Sequence, residues 1–246
     1  MDKCFLGGGT TAIGQRSRSK AVLKNVESST LGDPAYREAQ MAIRLYSWPH
    51  SSGTRVSWAL EELGVPYEYI QLDSKKNEHR TPQYLAVNPH GKVPGLVDGE
   101  HTFFESGAML LYLGDKYGIE RKLWPAAVGQ ARADATCWTV WAMADFGNYL
   151  LQYAYHGLDS PVSFKPEDRS KACAEYNRSQ FVRGLDSLQA RLQDRECLLG
   201  AFSLVDIAVA SWLQMGTSFG IKLDSHPRVA DWLKHCSERP ACRRAR

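Results

Sequence analysis

From Met41 onward, the spacing of apolar positions predicts a small α/β domain. Alternating, β-branched and aromatic residues are typical of strands, whereas apolar residues three and four apart are typical of helices. The dipeptide Asp98-Gly99 carries the turn chemistry of a β-hairpin. The predicted order is β-α-β-α-β-β-α, with strands at 43–46, 67–72, 93–97 and 101–104 and helices at 56–63, 81–87 and 106–117.

The pattern changes after Tyr117. Residues 119–127, which contain Trp124-Pro125, have no periodicity and are interpreted as a linker. Beyond Val128 no strand pattern is found, and the helical stretches are interrupted near prolines and glycines. We therefore predict an α/β domain over 41–118 and an all-helical domain over 128–246. The predicted helical stretches are 128–156, 167–193, 204–219 and 227–237.

The first 40 residues differ from the rest of the chain. They contain a Gly-Gly-Gly-Thr-Thr run and scattered serines but no sustained apolar period. Before Glu27, Asp2 is the single acidic residue among several basic ones, a composition that also fits a transit peptide. A start codon assigned upstream of the patterned region is a third interpretation. We predict that residues 1–40 are a disordered extension.

Composition and charge narrow the functional class. Hydrophobic residues make up 43% and charged residues 23% of the 246 residues, which is ordinary for a soluble protein. The net charge of +3 is too small to indicate a nucleic-acid partner, and no apolar run approaches the ~18 residues of a spanning helix. The six cysteines form no Cys-x-x-Cys pair. These observations favour a cytoplasmic protein with reduced thiols, no metal site and no membrane or nucleic-acid partner.

Two motifs suit the recognition of a peptide-like ligand. Before the third strand, the segment 88–94 contains Val93-Pro94, a bond that proline allows to be cis; a cis bond would turn the Val93 backbone toward a cleft, and a trans turn is the alternative. Glu105-Ser106 precedes a helix, whose free N–H groups attract a carboxylate while Glu105 can accept an ammonium. A Ser106 N-cap with an exposed glutamate is the structural alternative.

A third motif, the segment 50–56, lies between the first strand and the first helix. It reads His-Ser-Ser-Gly-Thr-Arg-Val. Hydroxyl donors at a helix N-terminus stabilise an anion, although a simple capping serine would give the same pattern.

In this order and spacing, the three motifs resemble the glutathione transferase family. The stretch 55–68, RVSWALEELGVPYE, is similar to the family's first helix and second strand, and 88–96 and 104–113 to the rest of its glutathione site. In the second domain, 203–207 resembles the family's capping box. The resemblance covers about residues 41–240. It implies a thioredoxin-like domain followed by an all-α domain, glutathione as co-substrate, and a homodimer.

The resemblance also assigns roles to individual residues. Val93 would pair its backbone with the cysteinyl part of glutathione, and Glu105 and Ser106 would hold the γ-glutamyl end. Lys92 would reach a carboxylate, and His79 is a candidate for the glycyl end.

The position of the thiol-activating residue departs from the family pattern. Counting back six residues from Val56 gives His50, where several classes have a serine or cysteine. Related bacterial sequences with a Pro-x-Ser start place their serine at Ser51. We therefore rank Ser51 first, His50 second and Ser52 third.

The expected chemistry is activation of the glutathione thiol. A thiol with a pKa near ~8.5 is mostly protonated at neutral pH, and the thiolate is the nucleophile. The helical domain would supply the pocket for a small hydrophobic electrophile. Four residues at helical spacing are its candidate lining, although a core stripe is the alternative for at least half of them: Trp138, Trp141, Asp145 and Tyr149.

Two other functions remain open at this point. One is a non-catalytic binding or assembly module built on the same fold. The other is a specialised glutathione-dependent isomerase, dehalogenase or ether-cleaving lyase, although Ser51-Ser52-Gly53 lacks the cysteine of maleylacetoacetate-type isomerases.

Deleting residues 1–40 should leave thermal stability and glutathione binding unchanged, because this segment has no apolar pattern from which to build a core. The measurement is the melting temperature and the calorimetric glutathione affinity of the full chain and the truncated chain. A large fall in melting temperature would show that the segment packs on the folded domains.

Overall fold

Four strands form a single mixed sheet in the structure, a computed structural model that describes residues 43–245. The strands are β1 (Ile43–Ser47), β2 (Tyr67–Gln71), β3 (Gly95–Asp98) and β4 (His101–Phe104). Their order across the sheet is β2-β1-β3-β4. β1 pairs in parallel with β2 and antiparallel with β3, which in turn pairs antiparallel with β4.

Side chains alternate along β1 as a half-buried strand requires. Ile43, Leu45 and Ser47 are buried, while Arg44 and Tyr46 are partly exposed. Ser47 therefore ends the strand with a buried hydroxyl beneath the loop that follows, where the candidate site begins.

Nine α-helices accompany the sheet within residues 43–245. They are α1 (Gly53–Leu63), α2 (Pro82–Leu85), α3 (Ser106–Leu113), α4 (Gln130–Trp141), α5 (Gly147–Gly157), α6 (Lys171–Arg191), α7 (Leu204–Ser218), α8 (Pro227–Glu238) and α9 (Pro240–Arg244). α3 and α4 each continue into a π-helical turn, at Gly114–Gly118 and Ala142–Phe146. No helix of this described part is both long and apolar enough to cross a membrane.

The predicted fold class is confirmed: an α/β part containing every strand of residues 43–245 is followed by a helical part. Neither helix nor strand occurs in 119–129, a stretch that includes the predicted linker. Two local predictions need correction. Ser106 is the first residue of α3 rather than its cap, because Glu105 occupies the cap position with φ 69°. The sequence pattern also did not predict α9, which is only five residues long.

The helical part is tied to α1 by its C-terminal segment. Arg239 donates two hydrogen bonds to the nearly buried carboxylate of Glu62, at 2.6 and 2.7 Å, and its guanidinium lies 3.7 Å from the centre of the Phe202 ring. In α9, Arg244 donates to Glu61 at 2.6 Å. Two-pronged arginine–carboxylate pairs fix orientation as well as distance, so they hold α1 in place against the helical part.

The start of α7 is held by the predicted capping box. Ser203 caps the helix, and Asp206 accepts hydrogen bonds from the Ser203 backbone at 2.8 Å and its hydroxyl at 3.0 Å. The same buried carboxylate accepts from the Leu198 backbone at 3.0 Å and from Trp232 Nε1 at 2.9 Å. Asp206 therefore connects α7, α8 and the preceding loop at one point.

Replacing Asp206 with alanine should lower the free energy of unfolding by about 3 kcal/mol, because several buried donors lose their acceptor at once. Denaturant unfolding is the measurement. Asp224→Ala, at an exposed aspartate, is the matched control and should change stability by less than about 0.5 kcal/mol. Equal effects of the two substitutions would contradict the assigned role of Asp206.

Candidate functional site

The loop between β1 and α1 is organised around the Ser51 hydroxyl. Its Oγ lies 2.8 Å from the buried Ser47 Oγ, donates to the Trp48 carbonyl at 2.8 Å and accepts from the Gly53 N–H at 3.1 Å. A serine has a single hydroxyl proton. Both acceptors within its reach, Ser47 Oγ at the end of β1 and the Trp48 carbonyl, belong to the protein, so Ser51 can donate to a ligand only by giving up one of these bonds.

Gly53 is required where α1 begins. A Cβ at this position would lie 1.9 Å from Ser47 Oγ and 2.6 Å from Ser47 Cβ. Since atoms cannot approach that closely, any larger residue would displace the Ser47–Ser51 pair. The glycine thus allows the loop to sit directly on the end of β1.

Ser52 faces a different direction from Ser51. Its hydroxyl donates to the Val93 carbonyl at 3.3 Å, although the two residues are 41 positions apart in the chain. The Val93-Pro94 peptide bond is cis. The structure therefore brings two of the predicted site residues, Ser52 and Val93, into contact.

The turn that carries Lys92 and Val93 is fixed by Asn88. The buried Asn88 amide donates to the Lys92 carbonyl at 2.6 Å and to the Pro94 carbonyl at 3.4 Å, and its oxygen accepts from the His90 N–H at 3.0 Å. Lys92 therefore has a fixed carbonyl and an exposed side chain, whereas Val93 is partly buried and its carbonyl accepts from Ser52.

The two predicted histidines, His50 and His79, differ in exposure and in contacts. His50 is exposed, with φ 60°. The partly buried His79 ring makes an edge contact with Trp48 at 5.5 Å between ring centres. His79 Nδ1 is buried and lacks a hydrogen-bond partner among the described residues.

Glu105 and Ser106 meet α1 through Arg55. Glu105 is exposed at the cap position of α3, while Ser106 is buried and accepts a hydrogen bond from Arg55 Nη1 at 3.2 Å. An arginine has only donors, so the Ser106 oxygen must be the acceptor and its own proton remains available to a ligand. α3 therefore begins with a hydroxyl proton beside several free backbone N–H groups.

Arg55 is a site residue that the sequence analysis did not single out. It is buried, its guanidinium lies 4.1 Å from the centre of the Trp212 ring, and Nη1 also approaches Met143 Sδ at 3.0 Å. Burial lowers the pKa of Arg55 to about 9. The sequence of α1 gives no sign that Arg55 is buried, because its burial results from the packing of other segments around α1.

A cavity of about 450 Å³ opens between the β1–α1 loop and the helical part. Its lining comes from three segments: His50, Ser51, Thr54 and Arg55 around the start of α1; Leu151, Ser160, Pro161 and Val162 around the end of α5; and Ser211, Gln214, Met215, Ser218 and Phe219 around α7. The lining is mainly apolar, as a small-molecule site requires, with a few hydroxyls and two basic residues.

The four residues predicted to line an electrophile pocket do not line this cavity. Trp138 and Trp141 pack edge to face at 5.2 Å between ring centres, and Trp141 stacks on the buried Phe146 at 4.7 Å. Asp145 is exposed, and Tyr149 is partly buried against the core. The core-stripe alternative therefore describes the two tryptophans.

The α7 residues that line the cavity were not predicted, although the sequence distinguishes their positions from the rest of the helix. Positions 211, 214, 215 and 218 are one helical face, and they carry Ser, Gln, Met and Ser rather than the large aliphatic residues of the opposite face. The sequence does not show that this face turns toward the start of α1.

The described residues contain no group of three or more His, Cys, Asp or Glu side chains suited to a metal ion.

Comparison with known proteins decides the family. Residues 41–115 match the N-terminal domain of glutathione S-transferases, and residues 151–240 match their C-terminal domain. The chain belongs to the glutathione transferase family. The predicted resemblance and the predicted two-part architecture are thereby confirmed.

Relatives within the family have different named activities. Glutathione S-transferase 4 of Zea mays is 31% identical over 217 residues, covering 82% of this chain and 91% of that protein. Disulfide-bond oxidoreductase YfcG of Escherichia coli is 31% identical over 207 residues, covering 81% and 92%. The structure of glutathione transferase URE2P6 from Phanerochaete chrysosporium with oxidized glutathione superposes with a TM-score of 0.75 and 30% identity, covering 84% and 95%.

Asn88→Asp should destabilise the protein by roughly 1–3 kcal/mol, because a carboxylate oxygen would replace the amide donor facing two carbonyls. Denaturant unfolding measures the change, and Asp168→Asn, at an exposed aspartate, is the control. A stability within about 0.5 kcal/mol of the wild type would contradict the role of Asn88 in holding the turn.

Proposed function

We propose that the protein is a catalytic glutathione transferase that binds glutathione, stabilises its thiolate and directs it at a small hydrophobic electrophile. The observation that carries the proposal is the contact between Ser52 and the Val93 carbonyl, which places a hydroxyl beside the backbone expected to hold the cysteinyl residue. The adjoining cavity provides space for a second substrate.

The γ-glutamyl end of glutathione would lie at the start of α3. The Ser106 proton and the free backbone N–H groups suit its carboxylate, because a helix N-terminus favours a negative charge. The exposed Glu105 carboxylate suits its ammonium group. Lys92 and His79 are the candidates for the glycyl carboxylate.

Ser52 is the serine whose geometry favours thiolate stabilisation. The Ser51 proton is donated to the Trp48 carbonyl at 2.8 Å, whereas the Ser52 proton is donated to the Val93 carbonyl across a longer and weaker bond of 3.3 Å, which it can exchange more easily for a bond to a bound sulfur. We therefore revise the sequence-based ranking, with Ser52 first, Ser51 as the organiser of the loop, and the exposed His50 as the rival donor.

The energy required from these groups is modest. Lowering a thiol pKa from ~8.5 by about two units corresponds to about 2.7 kcal/mol of preferential stabilisation of the thiolate. One hydroxyl hydrogen bond to a charged sulfur and the N-terminus of α1 are together sufficient for that amount. The thiolate then attacks the electrophilic carbon, and the leaving group departs with its bonding electrons.

Two observations support glutathione-dependent disulfide exchange as a second candidate function. A relative is named as a disulfide-bond oxidoreductase, and a similar structure holds oxidized glutathione. Residues 47–56 contain no cysteine, so both thiols would come from glutathione molecules or substrate. Reduction of a small mixed disulfide without conjugation of an aryl halide would favour this function. Glutathione binding without either reaction would favour a binding module.

The proposal of a glutathione transferase also includes a homodimer in the cytoplasm, on the basis of the family resemblance.

Glu105→Ala and Ser106→Ala should each weaken glutathione binding roughly tenfold to a hundredfold, because hydrogen bonds to charged groups contribute about 1.5–3 kcal/mol. Calorimetry measures the affinity once circular dichroism has shown an intact fold. Glu120→Ala, at an exposed glutamate after α3, is the control and should bind like the wild type. Wild-type affinity in both site variants would remove the proposed γ-glutamyl site.

The bound thiol should titrate with a lowered pKa, and Ser52→Ala should return that pKa toward its free value. His50→Ala should change it little, and Ser51→Ala should mainly lower stability, because three loop contacts are lost. Ultraviolet absorbance of the thiolate against pH in the wild type and the three variants is the measurement.

The same titration identifies the donor when a variant other than Ser52→Ala shows the largest change in the thiol pKa. A larger shift in His50→Ala transfers the donor role to His50, and a larger shift in folded Ser51→Ala restores the sequence-based choice. A wild-type thiol with its ordinary pKa would contradict thiolate activation altogether.

A further inference from the structure

The cavity beside the thiol-activating loop contains a buried cation that the proposed glutathione chemistry does not use. Arg55 is 2% exposed and is one of the residues that line the cavity. Its Nη1 is occupied by Ser106 Oγ at 3.2 Å and Met143 Sδ at 3.0 Å. Its Nε is buried without a hydrogen-bond partner, and Nη2 makes no hydrogen bond to a residue of the described part.

No carboxylate compensates this charge. Asp and Glu are absent from the cavity lining, and Arg55 forms no ion pair within residues 43–245. A buried, unpaired charge is costly, and the Trp212 ring at 4.1 Å and the Met143 sulfur offset only part of that cost. Burial alone lowers the pKa of Arg55 to about 9, which leaves the guanidinium charged at neutral pH.

The position of Arg55 along α1 relates it to the reacting sulfur. Ser51, in the loop just before α1, and Arg55, in the first turn of α1, line the same cavity. A second substrate whose reactive carbon meets the sulfur at the start of α1 would therefore extend toward Arg55. A planar guanidinium with unused donors is suited to a carboxylate.

We propose that the cavity accepts an electrophile that carries a carboxylate, and that Arg55 is the residue that binds this group. The apolar remainder, including Leu151, Val162 and Met215, contacts a ring or short chain between the reactive carbon and the carboxylate. This inference rests on the proposed function. In the reaction, the thiolate forms a C–S bond at a benzylic carbon, a halide leaves with the electron pair, the thiol proton passes to solvent, and the carboxylate remains unchanged.

Two glutathione conjugates test the assignment by binding alone. S-(4-carboxybenzyl)glutathione places a carboxylate one aromatic ring away from the sulfur, and S-benzylglutathione lacks only that group. Calorimetry at neutral pH should show at least a tenfold tighter binding of the carboxylated conjugate to the wild-type protein. Arg55→Met should reduce this ratio to less than threefold, while Arg243→Met, at an exposed arginine, should leave it unchanged.

A second variant keeps the test decisive when Arg55→Met does not fold. Arg55→Lys retains the charge but not the planar fork, so the preference for the carboxylated conjugate should fall at least threefold and remain above one. A wild-type protein that binds both conjugates equally, or prefers S-benzylglutathione, overturns the inference and leaves the glutathione site intact. A preference that persists undiminished in the Arg55 variants overturns the assignment to Arg55. Failure of both conjugates to bind wild type contradicts the proposed function itself.

Discussion

The structure depends on the burial of α1 between the sheet and the helical part. Eight of its eleven residues are buried, among them Trp58 and Leu60, which contact solvent scarcely or not at all. A helix buried on nearly every side has a fixed orientation, because rotation would expose apolar surface and leave gaps on the opposite side. The N-terminus of α1, and with it the candidate site, is therefore positioned by packing rather than by the loop alone.

Polar contacts complete this positioning at the two ends of α1. At its C-terminal end, Glu62 accepts from Arg239, which lies between the last two helices, and Glu61 accepts from Arg244 in α9, and these bonds join the helical part to the α/β part. Near its N-terminal end, Arg55 reaches Ser106 in α3 and Trp212 in α7. Arg55 thereby connects the residues expected to hold glutathione with the cavity expected to hold its partner.

Two neighbouring serines in the loop between β1 and α1 have different roles. Ser51 is joined to Ser47, Trp48 and Gly53, so it maintains the loop's shape. Ser52 donates to the Val93 carbonyl, and Asn88 fixes the same turn by donating to the Lys92 carbonyl. Adjacent residues at a helix N-terminus point in different directions, and so one can be structural while the next is available to a ligand.

The sequence by itself determined the order of elements in the α/β part and the resemblance to the family. The strand at 43–47 and the Asp98-Gly99 hairpin follow from local periodicity and turn chemistry, and the capping box at Ser203 follows from the spacing of two residues. The residues predicted to bind glutathione lie in short motifs, which local sequence alone can single out.

Only the tertiary structure decided what those residues contact. The sequence did not show that the Ser51 proton is used within the loop, that the α7 face beginning at Ser211 lines the cavity, or that Trp141 stacks on Phe146 instead. It gave no sign that Arg55 is buried without a carboxylate. Periodicity reports which face of a helix is apolar, whereas the partner of that face is set by how distant segments pack, and that packing is a property of the whole chain.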